Sequence, residues 1–197
     1  MQCTCRFEVM EEPYPFQETR VEGVVLVGLE RKKCGRCGAD DLRIPRMGQL
    51  LRLLAYSVVA RPGRLAPPEI SKLRADLLFQ QGEFASMLGV SQPVLCRWET
   101  GKRRPSRISD VALRLAFLTM PPRNGRFPWE APVQERLSPL LGPLVHLARP
   151  RSWPIRFDVR RSPQDLIEEV VYRARKTVAS GTAEATPDVT SAGISVQ

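Results

Sequence analysis

The sequence predicts an α+β chain in three parts: a small N-terminal β module, an all-α domain, and a mixed C-terminal extension. Three observations carry this. A Val- and Leu-rich stretch, VEGVVLVGLERKK at residues 21–33, lies between two cysteine pairs, with Gly23 and Gly28 placed as bends between strand-length pieces. Apolar residues then recur at helical spacing from about residue 46 to residue 118, punctuated by Pro62, Pro67, Pro68 and Gly89. Beyond residue 120 the pattern changes to a period of two and then back to a helical one. The resulting boundaries are 1–45 for the β module, 46–66 for a connecting helix and linker, and 67–120 for the helical domain. Residues 121–178 form an extension, and 179–197 a Ser/Thr/Ala-rich tail whose composition predicts disorder.

In the first part, four of the five cysteines fall in the first 37 residues, as Cys3-Thr4-Cys5 and Cys34-Gly35-Arg36-Cys37-Gly38. Paired cysteines in a chain without a secretory signal pattern point to metal binding rather than to disulfides. Two thiolates three positions apart in a tight turn hold Zn²⁺ well, and Gly38 admits the positive φ that aims backbone N–H groups at sulfur. The first pair is irregular, because C-x-C sends its side chains to opposite sides of an extended chain. The expectation is a closed structural site of Cys3, Cys5, Cys34 and Cys37 that staples a sheet too small to fold alone. A three-thiolate site completed by another group and a metal-free hairpin stand beside it. His146, far along the chain on an apolar segment, reads as a packing residue.

Residues 46–60 follow as a helix whose Leu50, Leu51, Leu53, Leu54 and Val58 supply one apolar face. After the proline-marked linker, residues 81–88 form a helix that buries Phe84, Ala85 and Leu88 and stops at Gly89, a left-handed C-cap. Ser91 caps the next helix, and Pro93 in its first turn sacrifices no hydrogen bond. Leu95 and Trp98 face inward, while Gln92, Pro93 and Arg97 face out. Two short helices joined by such a turn are the punctuation of a helix-turn-helix, and the residue types suit double-stranded DNA. Gln bonds adenine bidentately and Arg forks onto guanine, so Gln92 and Arg97 are base-reading candidates, with Pro93 beside them as a third that shapes the entry of the helix or touches a thymine methyl. Lys102, Arg103 and Arg104 in the next turn are candidate phosphate contacts. A further helix carries Ile108, Val111, Ala112, Leu115, Ala116 and Leu118 as an apolar stripe, facing either the core or a dimer partner.

Charge agrees. The net charge is +9, and residues 61–130 hold twelve Lys/Arg against six Asp/Glu, so two-thirds of the excess surrounds the helix-turn-helix. No apolar run reaches membrane-spanning length, and nothing pairs a nucleophile with a base, so neither a membrane protein nor an enzyme is expected. In the extension, an apolar helix is expected around residues 137–147. Residues 153–161 alternate as a half-exposed strand, and Ser162 opens a helix with Leu166, Ile167, Val170, Val171 and Ala174 on one face.

Over residues 67–118 these features resemble the Cro/CI-like xenobiotic-response-element (XRE) repressor family, which implies a lambda-repressor-like domain. The resemblance implies that Arg74 and Glu99 form a structural pair. It further implies that Gln81 is a phosphate contact buttressing its neighbour, with Gln92 and Arg97 reading bases. The order of EPYPF at 12–16, VVLVGLE at 24–30, CGRCG at 34–38 and RPGRL at 61–65, ahead of the helix-turn-helix, resembles the MqsA/YgiT-type zinc-finger antitoxin and regulator family across residues 1–118. That resemblance implies a zinc-ribbon-like module, a homodimer, and a cytoplasmic bacterial regulator that represses its own operon. In some members the N-terminal module also neutralises a partner toxin.

Overall fold

The structure, a computed structural model, describes residues 4, 7–10, 12–120, 125, 127–150 and 153–181. Cys3 and Cys5, and the tail from residue 182, lie outside the described residues. Among the described residues two small sheets form. In the first, β1 (Phe7–Met10) pairs antiparallel with β4 (Arg31–Cys34), which pairs antiparallel with β5 (Asp40–Leu42). In the second, β2 (Tyr14–Pro15) pairs antiparallel with β3 (Val24–Val27), and β3 pairs in parallel with β6 (Ile155–Asp158).

The second sheet changes the organisation read from sequence. The sequence places Val24 to Val27 in a module ending at residue 45, yet one of their two partner strands comes from the extension beyond residue 121. The alternation predicted for β6 is present, with Ile155 and Phe157 buried and Arg156 exposed. Its buried side chains join the core cluster that also takes Val24, Leu26 and Phe16. Both parts bury apolar residues that neither covers alone, which is the physical reason they merge.

Among the described residues eight α-helices complete the fold. The first, α1 (Met47–Val59), was expected as a one-faced connector and is instead a central strut, with every residue from Arg52 to Val59 buried. It packs against α2 (Pro67–Asp76) on one side and α8 (Pro163–Ser180) on another. Ser162 caps α8 by accepting from the Asp165 N–H at 3.2 Å, and Leu166, Ile167, Val171 and Ala174 are its buried apolar stripe. The helix runs through residues 179 and 180, which the sequence placed in the tail. The apolar segment near residue 140 divides into α6 (Ala131–Leu137) and α7 (Leu141–His146), joined by a 3₁₀ turn. His146 is exposed rather than packed.

A buried polar knot ties the linker to α5 (Arg107–Thr119). Arg114 and Asp110 are both wholly buried, with Nε 2.7 Å from Oδ1. The rest of the guanidinium donates to the carbonyls of Val59 at 2.7 Å, Arg61 at 2.6 Å and Gly63 at 2.5 Å, while Asp110 accepts from the Leu65 N–H at 2.6 Å. Buried charge is tolerable only when its hydrogen bonds are satisfied, and here the irregular backbone supplies them. Gly63 sits inside the knot at φ 76, and a Cβ there would lie 2.8 Å from Arg149 Cβ and 2.9 Å from its Cα. Glu69, 2% exposed, is held by Arg61, by Arg149 at 2.8 and 2.9 Å, and by the Ala66 N–H at 2.6 Å.

The knot also decides which way α5 faces. The core side is Asp110, Leu113, Arg114 and Phe117. Of the apolar stripe read from sequence, Ala116 and Leu118 are buried, but Ile108 is 84% exposed and Val111, Ala112 and Leu115 also reach the surface. Two charges that look like surface residues occupy the buried face, so hydropathy alone misplaces it.

Candidate nucleic-acid interface

The helix before the turn, α3 (Gln81–Met87), starts with Glu83 accepting from the Gln80 N–H at 3.0 Å, which satisfies one of the donors left open at a helix start. Phe84 and Ala85 are buried beneath it. It ends in a Schellman motif: Val90 N–H donates to Ala85 O at 3.0 Å, Gly89 N–H donates to Ser86 O at 3.1 Å, and Gly89 takes φ 67.

Ser91 then occupies the N-cap of α4 (Gln92–Glu99) with extended backbone angles. Its hydroxyl makes no capping bond, so the expected side-chain cap is corrected. The Ser91 carbonyl starts the helix by accepting from the N–H groups of Val94 and Leu95. Leu95 and Trp98 are buried, whereas Gln92, Pro93 and Arg97 are exposed on the outer face. The Gln92 Oε1 lies 3.4 Å from where a Cβ of Gly82 would sit. The amide of Gln92 therefore rests against the first turn of α3, a contact that sequence reasoning missed because Gly82 carries no chemical signal.

Glu99 is the hub of the motif. Arg74 reaches it from α2 with Nε at 2.6 Å and Nη2 at 3.1 Å, and sends Nη1 to the Phe79 carbonyl at 3.0 Å. Gln81 reaches the same carboxylate from α3 at 2.8 Å. One carboxylate thus fixes three helices, and the amide nitrogen of Gln81 is engaged with Glu99 instead of turned outward. The chain leaving α4 folds back: Gly101 takes φ 75, and Arg103 N–H donates to Arg97 O at 3.0 Å. That turn sets the exposed Lys102, Arg103 and Arg104 beside the C-terminal end of α4. A stripe of cations flanking an exposed Gln and Arg is suited to a polyanion whose base edges lie next to its phosphates.

Residues 70–108 match the helix-turn-helix family model. The stretch is an XRE-type helix-turn-helix domain. The match runs from within α2 to the first turn of α5, and its presence supports a DNA-binding regulator of the XRE type. No curated protein and no solved structure matches the chain.

Away from the motif, Cys34 ends β4 and is buried, and Cys37 is exposed in the following turn. The turn is closed by Gly38 N–H donating to Cys34 O at 2.9 Å, with Gly38 at φ 70. Phe7 stands opposite Cys34 in the ladder. Among the described residues no group of three or more metal-ligating side chains forms. Among them, too, no helix is long and apolar enough to cross a membrane.

Proposed function

We propose that the chain is a sequence-specific transcriptional repressor that controls its own operon, a cytoplasmic bacterial protein acting on double-stranded DNA. The observation that carries this reading is the outer face of α4, where Gln92, Pro93 and Arg97 are exposed beside the folded-back Lys102, Arg103 and Arg104. In this reading Gln92 and Arg97 read bases, and the three cations meet phosphates.

A single helix-turn-helix buries little surface, so two copies dock on half-sites about 34 Å apart. The face that supports a homodimer is the exposed stripe of α5, where Ile108, Val111, Ala112 and Leu115 line a shallow apolar cavity of about 310 Å³ with Arg107 and His146. The test joins light scattering of the free protein to recovery and sequencing of genomic fragments at physiological salt. A pseudo-palindrome protected by a dimer supports the reading. A monomer protecting one half-site, or retention without sequence preference, overturns it.

The N-terminal module is proposed to hold one structural Zn²⁺ through Cys3, Cys5, Cys34 and Cys37. The glycine-closed turn at residues 34–38 suits a two-thiolate half-site. Metal analysis should find about one Zn²⁺ per chain, and Cys34→Ser should unfold the β1–β4–β5 sheet while sparing the helix-turn-helix. A metal-free preparation with this sheet intact contradicts the proposal. The antitoxin reading places a toxin on the same module, and co-purification of an operon-encoded partner separates the two.

A further inference from the structure

The cation turn and the polar knot enclose a cavity that DNA binding by itself does not explain. It has a volume of about 420 Å³ and lies between the linker, the turn after α4, the start of α5 and the end of α7. Its size is that of a small-molecule site. Fifteen residues line it, five of them arginines and none a carboxylate. The arginines are Arg64, Arg103, Arg104, Arg107 and Arg149. Among the described residues, only Arg149 of the five has its charge met nearby, by Glu69. Arg64 spends one donor on the Pro105 carbonyl at 3.3 Å. Among the described residues Arg103, Arg104 and Arg107 have no carboxylate partner.

The remainder of the wall is apolar, including the buried Leu65, Ile70 and Val145. Trp98 also lines it, and the Trp98 indole N–H, buried, has no acceptor among the described residues. Like charges converge on a partly apolar hollow at a cost that an anion removes, and guanidinium groups bind carboxylate or phosphate oxygens in forked pairs. A hydrophobic wall then selects for an occupant with an apolar body.

We propose that this cavity is an effector site for a small organic anion with an apolar body, and that its occupant releases DNA. The regulatory half of the proposal rests on the DNA-binding reading above. Arg103 and Arg104 belong both to the cavity wall and to the turn assigned to phosphates. An anion that pairs with them withdraws their charge from the duplex, and linkage makes the antagonism mutual.

The full chain is titrated with anilinonaphthalene sulfonate, an aromatic body bearing one anionic group, and with its uncharged analogue lacking the sulfonate. One saturable site that prefers the sulfonate is expected. Arg64→Ala and Arg64→Gln, at a position assigned neither a DNA contact nor a place on the proposed dimer face, should each weaken the probe by about tenfold, the size of a lost charge-assisted bond. Their circular dichroism and melting transitions check that they fold. Duplex DNA should displace the probe from the natural chain. The probe should weaken DNA binding in the natural chain but much less in either variant.

Equal probe affinity in folded variants and natural chain, or equal affinity for the uncharged analogue, overturns the site. Independent binding of probe and duplex overturns the coupling. A chain that retains no duplex with or without probe refutes the DNA-binding reading, while the probe titration still decides the cavity.

Discussion

The helix-turn-helix and the β2–β3–β6 sheet solve the same burial problem over different distances. Around Glu99, the bonds that hold α2, α3 and α4 together span no more than 25 positions along the chain. In the sheet, Val24 pairs with Ile155 and Val27 with Asp158, across most of the described chain. Closing a longer loop costs only modestly more entropy, but the long-range pair forms late because nothing local rewards it. Local ties therefore set the geometry of the recognition face, and distant ones make the body to which it is fastened. The knot at Arg114 is the joint between them, since it binds the linker after α1 to a helix that follows the motif.

Breaking that joint should have the largest effect. Arg114→Leu strips three backbone carbonyls of a donor and leaves Asp110 buried without its counter-charge, at a cost of about 3–5 kcal/mol. Urea unfolding of the natural chain should show both regions failing in one transition. Separate transitions in the natural chain, or a loss below about 1 kcal/mol in the variant, would mean that the knot does not join them.

The sheet can be weakened without touching the reading face. Leu26→Ala, at a wholly buried position of β3, should cost about 2–5 kcal/mol in unfolding free energy and leave DNA affinity unchanged where the protein stays folded. A change in operator affinity at low temperature would show the regions to be more tightly coupled than the bonding pattern implies.

Acid sharpens the comparison from the side of the linker. Burial pushes the Glu69 carboxyl up, but hydrogen bonding and charge from Arg149, the charge of Arg61 and the Ala66 N–H together hold its pKa below the ordinary 4.5. The unfolded chain then binds the proton more readily. The stabilisation is present above pH 4.5 and is lost as pH falls through the depressed folded value. Urea midpoints measured downward from neutral pH should fall more steeply in the natural chain than in Glu69→Gln. Parallel profiles would remove Glu69 from the joint. Asp76 contributes with the opposite sign, because burial beside Lys72 leaves its carboxyl above its ordinary value.

On the recognition face the effects are smaller and fall on binding. Arg97→Ala should cost about 1–3 kcal/mol on the operator, relax preference at one base pair and spare random duplex. Equal loss on every sequence would make Arg97 a backbone contact. Lys102→Ala should weaken all duplexes alike and reduce the slope of log affinity against log salt by about 0.9, the share of one phosphate. An unchanged slope would place Lys102 off the DNA.

The same contrast in range explains what could be read from the chain. The motif was legible because its signals are local: Phe84, Leu95 and Trp98 at helical spacing, Gly89 at the cap and Pro93 in a first turn. The buried face of α5 was not, because Asp110 and Arg114 resemble an exposed ion pair until the linker carbonyls are brought to them. The strand at residues 155–158 showed its alternation but not its partner, since a parallel pairing leaves no turn residues to announce it. RPGRL stood out as a motif, yet the need for glycine at position 63 lies in the approach of Arg149, more than eighty residues away.

The parallel pairing of β3 with β6 also orders events during synthesis. β3 leaves the ribosome more than a hundred residues before its partner strand, a wait on the order of 10 s at usual elongation rates. During that interval α2 to α5 can assemble from neighbouring segments while the apolar side of β3 stays uncovered. The helix-turn-helix can thus form before the body that carries it, and a chain halted ahead of Ile155 would present α4 on a platform with an open sheet edge.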